Sequence, residues 1–228
     1  MLLSNKAVEA VEGKRWVNPY RRLLDQYPGR LLSFDSWDKD AEAVDRLLSG
    51  VSQAYCEIGS GSGRHLIEVA RQHPQALLFG FELRFKRAVR TMEKSNDAGV
   101  HNTIVLRTKG EHLPLLFGPE TLDGVYVNFP EPWDKLKRRK HRVLNVSLLE
   151  ALQTRLKPGG FLSVKTDHSD YLRTFLAEAS EFSAFQLVER SEDLHRSEWM
   201  AGNVPTEFEE LFRHKGISVE YAKLLRVR

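Results

Sequence analysis

The chain has 228 residues, of which 41% are hydrophobic and 29% are charged, and its formal net charge is +3. This composition is typical of a globular protein, and the length suits one α/β domain with a short appendage at most. No apolar run approaches the roughly 18 residues of a membrane span, and the N-terminus shows no basic segment followed by an apolar one, as a signal peptide would. The single cysteine, Cys56, allows neither an intramolecular disulfide nor a cysteine zinc site. We therefore expect a cytoplasmic protein that binds neither a membrane nor a metal.

The first 50 residues show no strand pattern. Arg21, Arg22 and Arg30 lie among prolines and a glycine, which indicates an irregular basic arm, and residues 40–48 have the apolar spacing of a helix. We divide the chain into this arm with its helix, residues 1–50, and a main domain, residues 51–228.

From residue 54 onward, strand-like segments alternate with amphipathic helices. This alternation predicts a mostly parallel, seven-stranded α/β sheet of the Rossmann-like kind, with helices on both faces. Ligands of such sheets bind at the carboxyl ends of the strands. The predicted strands are 54–58, 76–81, 102–106, 122–128, 161–166, 185–189 and 221–227, and the predicted helices are 64–72, 85–97, 143–156 and 171–179.

A glycine-rich loop, residues 57–63, follows the first of these strands and opens a helix. Its spacing is G-x-G-x-G, whereas a dinucleotide site requires G-x-G-x-x-G, and Arg64 stands at the last position. Glu57, just before the first glycine, would repel a pyrophosphate but attract a cationic group. Glu82, after the second strand, can accept hydrogen bonds from both ribose hydroxyls. This combination favours S-adenosylmethionine over a tight turn with two surface acids. The cofactor-binding candidates are Glu57, Gly59, Gly61, Gly63 and Glu82.

The segment 128–133, Asn-Phe-Pro-Glu-Pro-Trp, ends the fourth strand and leads into a basic run. Residues 128–142 contain six Lys or Arg and two acids, a local charge of +4, while the remainder has 28 basic and 29 acidic residues, or −1. A local basic excess is typical of a surface that binds a polyanion. A solvated charged loop is the alternative interpretation.

The side chains of this segment suit the recognition of a nucleic-acid base. Pro130 and Pro132 stiffen the loop, and Phe129 and Trp133 offer aromatic faces that can stack on an extruded base. The alternatives are ordinary packing for Trp133 and an ion pair with the basic run for Glu131.

The end of the fourth strand is also where a methyl group would be transferred. We therefore expect Asn128 and Glu131 to act as the catalytic residues. Guanine N7 has a lone pair and carries no proton, so its attack requires alignment and electrostatic support rather than a strong base. The methylated purine is cationic, and Glu131 and Asp167 are placed to stabilise that charge.

From about residue 55 to the C-terminus, the chain resembles the bacterial tRNA (guanine-N7)-methyltransferases. The resemblance rests on residues 57–63, 80–82, 128–133 and 166–167 and on the Thr-Glu-Phe-Glu segment at 206–209. It implies a class I S-adenosylmethionine-dependent methyltransferase that modifies a guanine of the tRNA variable loop. The sequence leaves both a monomer and a homodimer open. The resemblance also implies that Glu131 contacts the cofactor and that the substrate guanosine contacts Lys135, Asp167, Thr206, Glu207, Phe208 and Glu209.

The chain departs from the family pattern in two places. Glu131 is one methylene longer than the family's Asp, and a displacement of about 1 Å can cost ~100-fold in rate. After the third strand, Thr108 and Lys109 replace the usual Asp-Ala pair, which makes Thr108 the candidate for the adenine contact. The alternatives are a methyltransferase for another RNA site, a protein or a small molecule, and a non-catalytic RNA-binding relative.

Overall fold

The computed structural model describes residues 17–33 and 37–227, so the first 16 residues of the predicted basic arm lie outside the described part. Within that part, eight strands form one sheet and seven α-helices surround it. The strands are β1 Leu31–Ser33, β2 Ala54–Ile58, β3 Leu77–Phe81, β4 Thr103–Arg107, β5 Leu122–Asn128, β6 Leu156–Thr166, β7 Phe185–Ser191 and β8 Glu220–Arg226. The helices are α1 Trp37–Leu48, α2 Arg64–Gln72, α3 Phe85–Asp97, α4 Leu113–Leu116, α5 Val146–Arg155, α6 Ser169–Ser180 and α7 Glu207–His214.

The strand order is β1-β4-β3-β2-β5-β6-β8-β7. All pairs are parallel except those of β8, which runs antiparallel to both β6 and β7. The chain moves outward from β2 through β3 to β4 and then returns to β5 on the other side of β2. The switch point therefore lies between β2 and β5, where ligands of open α/β sheets bind.

Helices cover both faces of the sheet, as the sequence predicts. Side chains of α1, α4, α5 and α6 pack against one face in the largest apolar core. Side chains of α2 and α3 pack against the other face in two smaller cores. Among the residues that the model describes, no helix has the length and apolar character needed to cross a membrane.

The predicted Rossmann-like fold is confirmed, with eight strands rather than seven. The additional strand is β1, which lies in the segment interpreted from the sequence as irregular and pairs with β4, Leu31 opposite Val105. Three residues are too few to show the alternation by which a strand is predicted.

Arg30, which the sequence places in a basic arm, has a structural role instead. Its guanidinium donates to the Thr103 carbonyl at 3.2 Å, the Val100 carbonyl at 3.0 Å and the Ser95 hydroxyl at 2.8 Å. It also donates to Asn96 Oδ1 at 2.6 Å. These bonds fix the entry to β1 against α3 and β4, so this arginine is not available to a polyanion.

Candidate active site

The glycine loop folds over the end of β3. Gly59, Gly61 and Gly63 have φ values of 80°, 59° and 81°, which are in the left-handed region that favours glycine. At Gly63 a Cβ atom would lie 2.3 Å from Cγ2 of Thr91 on α3, so close approach also requires glycine there. The amides of Gly59 and Ser60 both donate to the Phe81 carbonyl at 3.0 Å, which fixes the loop at the edge of the sheet.

A cavity of about 410 Å³ opens beside this loop, at the carboxyl ends of β2, β3 and β5. Its volume is within the range of small-molecule and cofactor sites. The predicted site residues that line it are Glu57, Gly59, Gly61, Gly63, Glu82, Asn128, Glu131, Thr206, Glu207 and Phe208. The tips of the first and fourth predicted strands therefore meet at one cavity.

Glu57 is buried at the floor of this cavity, with 3% of its surface exposed. Asn128 Nδ2 donates to Glu57 Oε1 at 2.9 Å, and His65 Nδ1 lies 3.3 Å from Glu57 Oε2. Burial acts to raise the pKa of Glu57, but His65, Asn128 and Lys165 together outweigh it and hold the pKa below its ordinary value. The carboxylate is therefore anionic at neutral pH and suits a cationic ligand group.

His65 is a site residue that the sequence did not indicate. It lies on the apolar face of α2, is 4% exposed and meets Tyr126 edge-on, with 4.9 Å between ring centroids. Its spacing in α2 is that of the core residues Leu66 and Val69, so periodicity alone did not distinguish it from the core.

Other polar groups at the cavity fit a nucleoside-type cofactor with a cationic tail. Among the described residues, the buried Ser60 Oγ and Asn128 Oδ1 have no hydrogen-bond partner, which is uncommon for buried polar atoms away from a ligand site. Glu82 is also buried, and its Oε1 accepts from the Arg84 amide at 2.7 Å. Its Oε2 lies 3.9 Å from Arg87 Nη1, and both residues line the same cavity. Glu57, Glu82 and the glycine loop therefore match the chemistry of S-adenosylmethionine.

The loop after β5 is held in an unusual backbone conformation. Phe129 and Trp133 have φ values of 50° and 46°, in a region that non-glycine residues seldom adopt. The Phe129 amide donates to the Lys165 carbonyl at 2.7 Å, and Arg142 Nε donates to the Pro132 carbonyl at 2.7 Å. Such strained residues persist where the surroundings fix them, frequently at functional sites. The loop places Glu131, which is exposed, at the cavity.

The basic run after this loop forms a short 3-10 helix, Leu136–His141. All of its lysines and arginines before Arg142 are exposed, so they are accessible to a polyanion. Arg142 differs, because its guanidinium carbon lies 4.4 Å from the centroid of the Tyr171 ring while Nε holds Pro132. Arg142, which the sequence counts with the basic run, therefore supports the loop. The centroid of the Trp133 ring lies 5.6 Å from the Arg138 guanidinium carbon and 5.6 Å from the centroid of the His141 ring.

Helix α7 closes another side of the cavity. Its first turn is fixed by a capping box, in which the Glu209 amide donates to Thr206 Oγ1 at 2.9 Å and the Glu209 carboxylate accepts from the Thr206 amide. Glu207 accepts from Ser62 Oγ at 2.6 Å and pairs with Lys94, and Arg64 pairs with Glu210. These contacts hold α7 against the glycine loop and α3.

The carboxylate of Glu209 points into the protein rather than into the cavity. It is 1% exposed and pairs with Lys165 Nζ at 2.8 Å, His195 Nε2 at 3.0 Å and Asn203. Burial acts to raise the pKa of Glu209, but Lys165, His195 and Asn203 outweigh it and lower the pKa. Lys165 was also absent from the sequence-based site, because a lysine at the end of a strand does not by itself predict burial.

Besides Glu209, three predicted site residues lie outside the cavity lining. Thr108 is buried and its hydroxyl is 2.7 Å from His112 Nδ1. Lys135 and Asp167 are exposed on the loops that follow β5 and β6. Among residues 17–33 and 37–227, no group of three His, Cys, Asp or Glu side chains is arranged to hold a metal ion.

The chain matches a family model described as "Putative methyltransferase" over residues 52–222. A tRNA (guanine-N7)-methyltransferase from Bdellovibrio bacteriovorus is 31% identical over 171 residues, which are 75% of this chain and 81% of that protein. A bifunctional glycosyltransferase/methyltransferase from Fusobacterium nucleatum is 30% identical over 92% of this chain, but the chain spans only 33% of that longer protein.

The fold is also similar to solved structures of RNA methyltransferases. A 16S rRNA adenine methyltransferase from Catenulisporales acidiphilia, crystallised with its cosubstrate S-adenosylmethionine, superimposes with a TM-score of 0.55 at 20% identity, over 83% of this chain and 92% of that one. This similarity identifies the class I methyltransferase fold, and the closer sequence matches identify the family. The chain belongs to the tRNA (guanine-N7)-methyltransferase family.

Proposed function

We propose that the protein transfers a methyl group from S-adenosylmethionine to N7 of a guanine in tRNA, in the variable loop. The observation that carries the proposal is the shared cavity, which Glu57 lines from β2 and Glu131 lines from the loop after β5. One end of the cavity suits a cationic donor, and the other is joined to an exposed basic run. Family membership supports tRNA guanine as the acceptor, and the proposal includes a reaction in the cytoplasm.

At the donor end, the residues bind and orient the cofactor. We assign Glu57 to its cationic amino-acid tail and Glu82 to its ribose hydroxyls. Gly59, Gly61 and Gly63 allow its close approach to the backbone, and Thr108, after the neighbouring strand β4, is assigned to the adenine side. When bound, S-adenosylmethionine supplies an electrophilic methyl group on its sulfonium.

At the acceptor end, the residues need not remove a proton, because guanine N7 presents a free lone pair. The catalytic requirements are alignment and stabilisation of the positive charge that develops on the purine. Glu131 supplies a carboxylate at the cavity, and Asp167 supplies another from the loop after β6. Asn128 contributes through its hydrogen bond to Glu57, which fixes the position of the donor end of the cavity relative to the acceptor end.

The substrate nucleoside is assigned to α7 and the neighbouring loops. Phe208 is 51% exposed at the cavity, and its ring centroid lies 6.3 Å from that of Phe129, which leaves an aromatic surface for the base. Glu207 lines the same cavity, whereas Thr206 and Glu209 act by fixing the first turn of α7. Lys135 and the basic run that follows it are assigned to the phosphates.

The test is mass mapping of nucleosides from unmodified tRNA incubated with the protein and methyl-labelled S-adenosylmethionine. We expect 7-methylguanosine, and we expect Glu131→Gln to lower the rate roughly 100-fold while tRNA binding is retained. Glu150→Gln, an exposed carboxylate on α5, is the matched control and should retain activity. Label on another base, on ribose or only on protein would overturn the acceptor assignment, and failure to bind S-adenosylmethionine would favour a non-catalytic relative.

A further inference from the structure

A second basic surface lies on α3, away from the basic run that follows β5. Residues 83–92 contain four basic residues and no acid. Arg84, Lys86 and Arg90 are exposed, and Arg87 is half-buried. We call these four residues the α3 basic surface. The chain outside residues 128–142 has nearly equal numbers of basic and acidic residues, so its total charge does not reveal this second local excess.

These cations are largely unneutralised. Arg87 lies 3.9 Å from Glu82, but within the described residues Arg84, Lys86 and Arg90 take part in no ion pair. The position of three of them is also electrostatically unfavourable. Arg84 is the N-cap of α3, and Lys86 and Arg87 lie in its first turn, where the helix dipole is positive and acidic residues are preferred. Cations that oppose the local field and lack acidic partners are better explained by an anionic partner than by stability.

The sheet topology places this surface opposite the basic run. Strands β3 and β5 are the two neighbours of β2, and α3 follows β3 while the basic run follows β5. Neighbouring strands are about 4.8 Å apart, so the two segments leave the sheet roughly 10 Å from each other, with the cavity between them. Arg84 and Arg87 line the cavity from one side, and Glu131 lines it from the other.

We propose that the α3 basic surface binds the RNA backbone on the side of the target guanosine opposite to the basic run. The identity of the RNA rests on the proposed function. A base that enters this cavity must leave its stack, which costs free energy. Phosphate contacts on both sides of the extruded nucleotide would offset that cost and fix its register, whereas a single basic surface would anchor the strand on one side only.

The test compares K86Q/R90Q with the charge-matched control R46Q/R173Q. Lys86 and Arg90 are one helical turn apart and do not line the cavity, whereas Arg46 and Arg173 are about 70% exposed on α1 and α6, on the other face of the sheet. We measure tRNA affinity over a range of KCl concentrations and S-adenosylmethionine affinity by calorimetry. The first variant should bind tRNA roughly tenfold more weakly at low salt, with a salt slope reduced by about 1.5. The control should match the wild type, and both variants should bind the cofactor normally.

An unchanged salt slope in K86Q/R90Q would overturn the proposal that the α3 basic surface binds the RNA backbone. An equal reduction in the control would overturn it too, since that would indicate only the loss of net charge. The proposed function fails separately, if the wild-type protein binds tRNA but forms no 7-methylguanosine. In that case the comparison of the two variants still decides whether α3 contacts the RNA.

Discussion

At the scale of single residues, the cofactor end of the cavity depends on how Glu57 is surrounded. Glu57 and Asn128 were predictable because each is one of the last two residues of a strand that the sequence identifies clearly. His65 was not, since it occupies an apolar position of α2, and its proximity to Glu57 becomes visible only when α2 folds back over β2. Sequence patterns thus located the charged group but not the neighbour that helps to keep it charged.

This environment predicts how cofactor binding depends on pH. Because the pKa of Glu57 is held below its ordinary value of 4.5, the carboxylate stays ionised above that pH, and its contribution is lost only as the pH falls through the lower, folded-state pKa. S-adenosylmethionine affinity should therefore show no titration of Glu57 between about pH 5 and pH 7. Calorimetry with wild type and Glu57→Gln checks this, and the variant should bind about 1.5–3 kcal/mol more weakly.

Glu68→Gln, a carboxylate on the outer side of the same helix, is the control and should bind normally. A titration above pH 4.5 that is present in the wild type and absent from Glu57→Gln would contradict the assignment of Glu57.

At the scale of elements, α7 is the helix whose position the site depends on most. The sequence contains the capping-box spacing of Thr206 and Glu209, but these residues were predicted only as substrate contacts that the family resemblance implies, not as the start of a helix. It did not indicate that Glu209 is buried against Lys165, since the two residues are far apart in the chain. The family resemblance implied that Glu209 contacts the substrate, whereas its carboxylate points away from the cavity into the protein.

The Lys165–Glu209 pair should therefore contribute to stability. Glu209→Gln leaves the Lys165 charge buried without its partner, and we expect a loss of about 3–5 kcal/mol in the free energy of unfolding, measured in urea. The ionised carboxylate stabilises the fold above its ordinary pKa of 4.5, and this contribution disappears as the pH falls through the lower folded-state pKa.

Glu210→Gln, which removes only an exposed pair with Arg64, should change stability little. The double variant Lys165→Met, Glu209→Gln should be more stable than Glu209→Gln alone, because it no longer buries an unpaired charge. Additive losses in the double variant would show that the two side chains do not depend on each other.

At the scale of the whole molecule, the sequence predicted the alternation of strands and helices and the edge of the sheet at which the ligand binds. Long, strongly apolar strands carry that information locally. The strand β1 does not, because its three residues are defined by pairing with β4 and by the bonds of Arg30, both of which are long-range. The division of the chain at residue 50 stays a prediction, although β1 joins the two parts it separates.

The position of β1 also determines what happens if the chain is shortened. A protein beginning at residue 51 would leave one side of β4, Thr103–Arg107, without its strand neighbour. Unpaired amides and carbonyls along an apolar strand are a template for pairing with another molecule. We expect the shortened protein to self-associate in light-scattering measurements while the full chain does not under the same conditions, and Arg30→Ala to show the same tendency more weakly. A shortened protein that matched the full chain would contradict this. If the shortened protein self-associates as expected, the three residues of β1 protect the edge of the sheet against aggregation rather than serving as a binding arm.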